Sequence, residues 1–268
     1  MTQVTIAVGQ MDVRKGNPRV NWTKMQEMTA RAKAQGAHIV VFPELWDAGF
    51  DLEKAKEFAS PLNAGLFAQV VALSKQHTIF ITGSMLEKRG LGICNCAPII
   101  APTGGIMGAY RKIHLFPLMQ EDLYLTAGEA PLNIALPWGL TGMAICYDLR
   151  FPELFRRYAL EGSKLVIIPC EWPEPRLEHF RTLLRARAIE NGMYVVAVNR
   201  VGVDTDENGK ETRYFGHSCV IDPWGNIVFE AGSVEGVFSA TIDLTLVDAA
   251  RKQIPVLDNR RPETYGSL

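Results

Sequence analysis

No apolar run in the sequence is long enough to cross a bilayer, and its opening, MTQVTIAVGQMD, has neither the basic start nor the long apolar stretch of a signal peptide. A cytoplasmic chain with no membrane partner is the expectation. Charge of one sign is not in excess either: 28 Lys and Arg against 29 Asp and Glu give a formal net charge of -1. The footprint of a nucleic-acid-binding surface is missing, so no such partner is expected. Cysteine is sparse and odd in number, five in 268 residues, which argues against a disulfide framework. Each cysteine is then core filler or a chemical group. Cys94 and Cys96, one residue apart, lack the spacing and partner pair of a zinc site, and the five histidines show neither HExxH nor a close cluster. With no Walker loop, neither a metal nor a nucleotide cofactor is expected.

What is present is ordinary for a globular protein: 47% hydrophobic and 21% charged residues, in a chain long enough to bury a sizeable core. Strand-like and helix-like segments alternate throughout. Thr5–Gln10 and Ile39–Phe42 read as strands. Pro18–Gln35 reads as a helix capped by Asn17 and stopped by Gly36, and Leu62–His77 as a second. Strands are expected at Thr78–Met85, Cys94–Ala101, Ile106–Arg111, Thr141–Ile145 and Leu165–Ile168. Helices are expected at Pro152–Glu161 and Leu177–Asn191, the latter with Leu177, Phe180, Leu184 and Ala188 on one face. Further strands follow at Tyr194–Val198, Gly216–Ile221, Ile227–Glu230 and Val237–Ile242, then a helix at Leu244–Gln253. Asp204–Thr212 reads as a surface loop, and the tail DNRRPETYGSL as irregular. QGAHIVVFPELW and EGSKLVIIPCEW echo one another, two glycine-to-strand-to-tryptophan stretches in the two halves. Strands buried on both faces beneath outer helices imply a single α/β domain over residues 1–268.

Three residues stand at strand ends in separate segments. Cys146, in AICYDLRFPEL, sits at a strand-to-helix corner, which exposes a side chain and aims backbone N–H groups at whatever it attacks. Its bland alternative is core filling. Lys112 closes GIMGAYRK; it is a surface lysine or an ammonium that stabilises a thiolate and then an oxyanion. Glu44 follows the apolar run IVVFP, where a carboxylate is costly unless paired; it either accepts backbone hydrogen bonds in a turn or serves the site. Read together they supply a nucleophile, a cation and a base, at the strand ends where α/β sheets build their sites. Asp148 and Arg150 flank the corner and are expected to form ion pairs that fix it, with contact to the substrate the alternative for Arg150. His114 reads as a packed, hydrogen-bonded group. Cys170 is either a pocket wall or core. Phe116 and Trp172 are candidate pocket walls. Arg176 is either a partner for a substrate carboxylate or a solvated residue at a helix start.

VVFPEL, YRKIHLF and AICYDLRFPEL, in this order and at this wide spacing, resemble the glutamate, lysine and cysteine motifs of the nitrilase superfamily of carbon–nitrogen hydrolases. The resemblance covers nearly the whole chain. It implies a four-layer αββα sandwich, a catalytic triad of Glu44, Lys112 and Cys146, and an accessory glutamate at Glu121 in LMQEDLYLTAG. It also implies a thioester route with an oxyanion held by Lys112 and the Tyr147 N–H, a small-molecule amide and water as reactants, and no cofactor. Homodimers or higher homo-oligomers are implied too, paired through Phe151–Arg157 and the tail from about residue 255. CEWPEPRLEHF, LRARAIENGMYVV and DNRRPETYG resemble the omega-amidase branch, which acts on monoamides of dicarboxylic or 2-oxo acids. One departure is Cys170–Glu171 ahead of the tryptophan, where relatives often carry a small residue or glutamine; an acid there opposes an anionic substrate. A nitrilase, an N-carbamoyl hydrolase and an acyltransferase share the same triad, and a non-catalytic binding protein shares the scaffold.

Overall fold

A computed structural model describes residues 2–266; Met1 and the last two tail residues, Ser267 and Leu268, lie outside the described residues. The chain runs β1 (Gln3–Gln10), α1 (Pro18–Ala34), β2 (Ile39–Val41), α2 (Ala55–Phe58), α3 (Gly65–His77), β3 (Phe80–Thr82), β4 (Met85–Arg89), β5 (Gly92–Ala101), β6 (Gly105–Arg111), α4 (Glu121–Tyr124), β7 (Leu132–Leu136) and β8 (Gly139–Met143). The second half runs α5 (Pro152–Leu160), β9 (Leu165–Cys170), α6 (Leu177–Asn191), β10 (Tyr194–Asn199), β11 (Val201–Thr205), β12 (Glu211–Phe215), β13 (Cys219–Ile221), β14 (Ile227–Glu230), β15 (Gly236–Asp243), α7 (Thr245–Gln253) and α8 (Pro262–Tyr265).

Two mixed sheets form the centre. One has the order β15-β1-β2-β3-β5-β4, with β6 paired to β5; the other has the order β14-β13-β10-β9-β8-β7. In each, the middle strands are parallel: β1, β2 and β3 in the first, β8, β9 and β10 in the second. The period-2 alternation of a strand divides the first sheet's residues between two cores. Val4, Ile6, Val8, Ile39 and Val41 face the second sheet. Ala7 and Val40 face outward, against Met25, Met28 and Ala32 of α1 and Phe67, Val70 and Leu73 of α3. The second sheet is covered on its far side by Phe155 and Tyr158 of α5 and by Phe180, Leu184 and Ala188 of α6. The result is the expected four-layer αββα sandwich, a single α/β domain. Among the described residues, no helix is long and apolar enough to cross a membrane.

Local chemistry sets the helix ends. The Asn17 side chain accepts a hydrogen bond from the Val20 N–H at 3.2 Å, Pro18 occupies the first position of α1, and Gly36 takes a φ of +77° just beyond it. Several expectations need correction. The second helix starts at Gly65 rather than Leu62. The expected strand Thr78–Met85 is divided between β3 and the start of β4, because Ser84 leaves the ladder to hydrogen-bond the chain around Glu44. Much of the expected loop Asp204–Thr212 is the hairpin β11–β12, and Gly216–Ile221 contracts to β13. The tail is not wholly irregular: turns and the short α8 run through it.

Candidate active site

The two echoed sequences meet. They form β2 and β9, central strands of the two sheets, and the turns that follow them are hydrogen-bonded to each other: the Glu44 N–H donates to the Cys170 carbonyl at 3.3 Å, and the Glu171 N–H to Glu44 Oε2 at 3.2 Å. Glu44 stands where β2 has ended, one residue before Leu45, whose φ is +40°. Ser84 holds that strained corner. Its Oγ accepts from the Leu45 N–H at 2.8 Å, and its backbone bonds Pro43 and Trp46.

Lys112 follows the last residue of β6. Its N–H donates to the Asn95 carbonyl at 2.9 Å, and its carbonyl accepts from the Gly128 N–H at 2.8 Å, so the backbone is fixed on both sides. The ammonium lies between two fully buried carboxylates, 2.7 Å from Glu44 Oε1 and 2.7 Å from Glu121 Oε2. Asn95 crosses the pair, donating from Nδ2 to Glu44 Oε1 at 2.8 Å and to Glu121 Oε1 at 3.4 Å. Glu121 is anchored in turn by the Phe116 N–H, 2.6 Å from Oε2.

Cys146 begins a short 3-10 turn, Cys146–Arg150, three residues past the end of β8, and takes a φ of +47°. A side chain there projects out of the strand direction, and such a backbone conformation persists only when its surroundings over-determine it. Asp148 supplies that constraint. Its carboxylate accepts from the Ile145 N–H (2.8 Å), the Tyr110 hydroxyl (2.7 Å) and the His114 N–H (3.0 Å), and it lies 2.7 Å from His114 Nδ1. The His114 ring stacks on Phe151 with centroids 3.6 Å apart, so His114 is a packed, bonded group as expected. Tyr147 lies at the start of the turn, where backbone N–H groups have no partner within the helix.

The electrostatics follow from burial. Burial pushes the Glu44 carboxyl up; the Lys112 charge pulls it back and Glu121 adds to the rise. Burial opposes the Lys112 charge, yet Glu121, Glu44 and Cys146 outweigh it and hold the ammonium well above its usual range. The Cys146 thiol is raised well above normal by burial, then by the adjoining Cys170 thiol and the Glu44 charge, which Lys112 only partly offsets. Lys112 thus favours the thiolate only in part. Its single positive charge is committed to two carboxylates, and the thiol stays protonated until a base takes its proton.

Lys112, Cys146 and Tyr147 together line a small pocket of about 20 Å³. Phe50, Phe116 and Trp172 wall it, and Glu171, Arg150 and Arg176 also border it. Next to it lies an open cleft of about 820 Å³ that shares Phe50 and Met119 with the pocket. The expected residues Phe116, Glu171, Trp172 and Arg176 thus all reach the pocket, while Cys170 lies buried behind the Cys146 thiol. Arg150 departs from expectation: it forms none of the ion pairs among the described residues and instead lies over the Trp172 ring, 4.8 Å from its centroid. Asp148 holds the corner through backbone and aromatic hydroxyl donors rather than through an arginine. Reasoning from sequence missed Asn95, Phe50 and Arg200. Asn95 had one signal, a polar residue in the middle of the apolar strand GICNCAPIIA. Arg200, fully buried, pairs with Asp204 at 2.9 Å and reaches Glu171 at 3.4 Å.

The sequence model of the family described as carbon-nitrogen hydrolase matches residues 5–252. A 2-oxoglutaramate amidase of Bacillus subtilis is 37% identical over 262 residues, covering 97% of this chain and 99% of that protein. The omega-amidase NIT2 of Danio rerio is 33% identical over 276 residues, covering 99% and 98%. Among solved structures, a CN-hydrolase superfamily protein from Xanthomonas campestris, with an arsenic adduct in its active site, superposes with a TM-score of 0.89 at 30% identity, covering 97% of this chain and 98% of that one.

Proposed function

The chain belongs to the carbon–nitrogen hydrolase family, and from that premise we propose that it hydrolyses the terminal amide of a small monoamide of a dicarboxylic or 2-oxo acid, through a thioester on Cys146. One observation carries the reading. A buried ammonium, held 2.7 Å from each of two carboxylates, lines the same pocket as a thiol, among aromatic walls. The names of the relatives from B. subtilis and D. rerio support the amide class.

Glu44 takes the thiol proton as the sulfur attacks the amide carbon. The oxyanion rests on the Lys112 ammonium and the Tyr147 N–H. Glu44 returns the proton to nitrogen, the C–N bond breaks, and ammonia leaves a thioester. Glu44 then deprotonates a water, which attacks the thioester; the C–S bond breaks and the sulfur recovers its proton as the acid departs. Glu121 keeps Lys112 in register. Arg150 and Arg176, which border the pocket and form none of the ion pairs among the described residues, supply bidentate donors for the substrate's carboxylate. The acid at Glu171 opposes them less than a solvated carboxylate would, because burial holds its carboxyl well above the usual range, toward the uncharged form.

The test is an ammonia-release screen over 2-oxo and dicarboxylic monoamides, carbamoyl amino acids and nitriles. Turnover of the monoamides, lost in C146A and lowered about two to three decades in K112A, supports the reading. Turnover of nitriles or carbamoyl compounds alone contradicts the substrate class, and no turnover of any compound contradicts the reaction. The assembly belongs to the same proposal: a homodimer or higher homo-oligomer joined through the region of α5 and the tail, where Leu160, Ile254, Val256 and Tyr265 are exposed.

A further inference from the structure

Seven buried side-chain N or O atoms among the described residues lack a hydrogen-bond partner, and two belong to neighbours in one pocket wall: Glu171 Oε2 and Trp172 Nε1. Buried polar atoms are paired in the great majority of cases, so an unpaired one at a pocket points to a group that arrives with the ligand. The indole N–H only donates. The character of Glu171 follows from its neighbours. Arg200 closes a two-pronged pair with Asp204, Nη1 to Oδ2 at 2.9 Å and Nη2 to Oδ1 at 3.0 Å, and offers Glu171 Oε1 only a long 3.4 Å contact. One guanidinium thus faces two carboxyl groups and satisfies Asp204. Glu44 adds a further negative charge nearby, since its Oε2 accepts the Glu171 N–H at 3.2 Å. Burial, with Asp204 and Glu44 adding to it against Arg200, holds the Glu171 carboxyl well above its usual range. A protonated Glu171 carries an O–H, and this pocket wall then presents donors only: that O–H, the Trp172 N–H and the guanidinium groups of Arg150 and Arg176.

Resting on the amidase reading above, we propose that Glu171 and Trp172 are specificity-determining residues that donate hydrogen bonds to a carbonyl oxygen on the substrate, selecting a 2-oxo monoamide over its deoxo counterpart. A substrate that lacks this oxygen leaves both buried donors unpaired, and that penalty produces the discrimination.

The experiment compares kcat/KM for 2-oxoglutaramate and glutaramate, which differ only in a C=O against a CH2. The ratio of the two cancels the fraction of folded enzyme, so a structural loss does not move it. The wild type is expected to prefer the 2-oxo compound by about a hundredfold. E171L and W172F should each lower that preference about tenfold, whereas E171Q, which keeps a donor, should retain it. A wild type that turns over both compounds equally leaves the amidase reading standing and overturns this inference, as does a ratio unchanged in both E171L and W172F. E171Q falling as far as E171L overturns the donor role in favour of charge. An enzyme inactive on both compounds removes the substrate reading itself, and this inference with it.

Discussion

In the proposed mechanism Glu44 is a base made by its surroundings. Its carboxyl is raised by burial, which brings its proton affinity toward that of a working general base near neutral pH. The raised value means that Glu44 stays protonated, and idle, to a higher pH than a solvated glutamate. The acid limb of kcat/KM is therefore expected above the ordinary carboxylate range, with activity rising as pH increases through it; a limb at or below the ordinary glutamate value of about 4.3 contradicts this. Asn95 touches both Glu44 and Glu121 and is expected to position them. Losing a buried partner of charged groups costs about 1–3 kcal/mol. N95A should accordingly lower kcat roughly tenfold to a hundredfold, leave KM little changed and shift the acid limb; an unmoved pH profile identifies a purely structural role. At this scale the sequence was legible where a residue's neighbours in sequence carry its chemistry, as for Glu44, Lys112 and Cys146. Asn95 and Arg200 act through residues far away in the chain, and the left-handed corners at Leu45 and Cys146 arise from side chains of distant segments, Ser84 and Tyr110 among them.

The segment after α4 shows how secondary elements hold the reactive groups in place. Gly128 closes against the end of β6, and a Cβ built there lies 2.1 Å from the Arg111 carbonyl oxygen, a backbone atom with little freedom to yield. G128A should push back the strand end that carries Lys112. It is expected to destabilise the fold on the order of 1–3 kcal/mol, as overpacking does, and to lower kcat as well. Gly105, where an added Cβ meets nothing within 4 Å, is the control: G105A should melt and turn over nearly as the wild type. Equal behaviour of the two variants in thermal melts and steady-state assays contradicts this account. The elements legible in the sequence are those whose pattern is their own: the unbroken apolar runs of β2 and β9, and α6 over Leu177–Asn191 with its apolar face. Less legible was β7, an edge strand with prolines at both flanks, a place where proline is tolerated because one side of the strand needs no ladder partner. The break between β3 and β4 was hidden because its cause is the Glu44 corner rather than its own residues.

Across the whole molecule, alternating strands and helices gave the α/β class. The doubling into two sheets came from the family resemblance rather than from the pattern of segments, and in the structure it is seen where successive strand residues take opposite faces, as with Ile6 inward and Ala7 outward on β1. The outer surface carries its own prediction. Burial lowers Arg156 on α5 and the Arg260 charge in the tail adds to the fall, so the two segments lie near each other. Deleting residues 255–268 should shift the assembly toward monomer in light scattering; an unchanged mass, or a wild type that is monomeric throughout, contradicts an interface there. That Cys146 carries the acyl group is the step on which the proposed mechanism turns. It is tested most directly by acid-quenching the enzyme during turnover of a monoamide and mapping the modified peptide by mass spectrometry. A mass increase equal to the acyl group on Cys146, absent in C146A, is the predicted result; steady turnover with no adduct on Cys146, or sustained turnover by C146A, contradicts it.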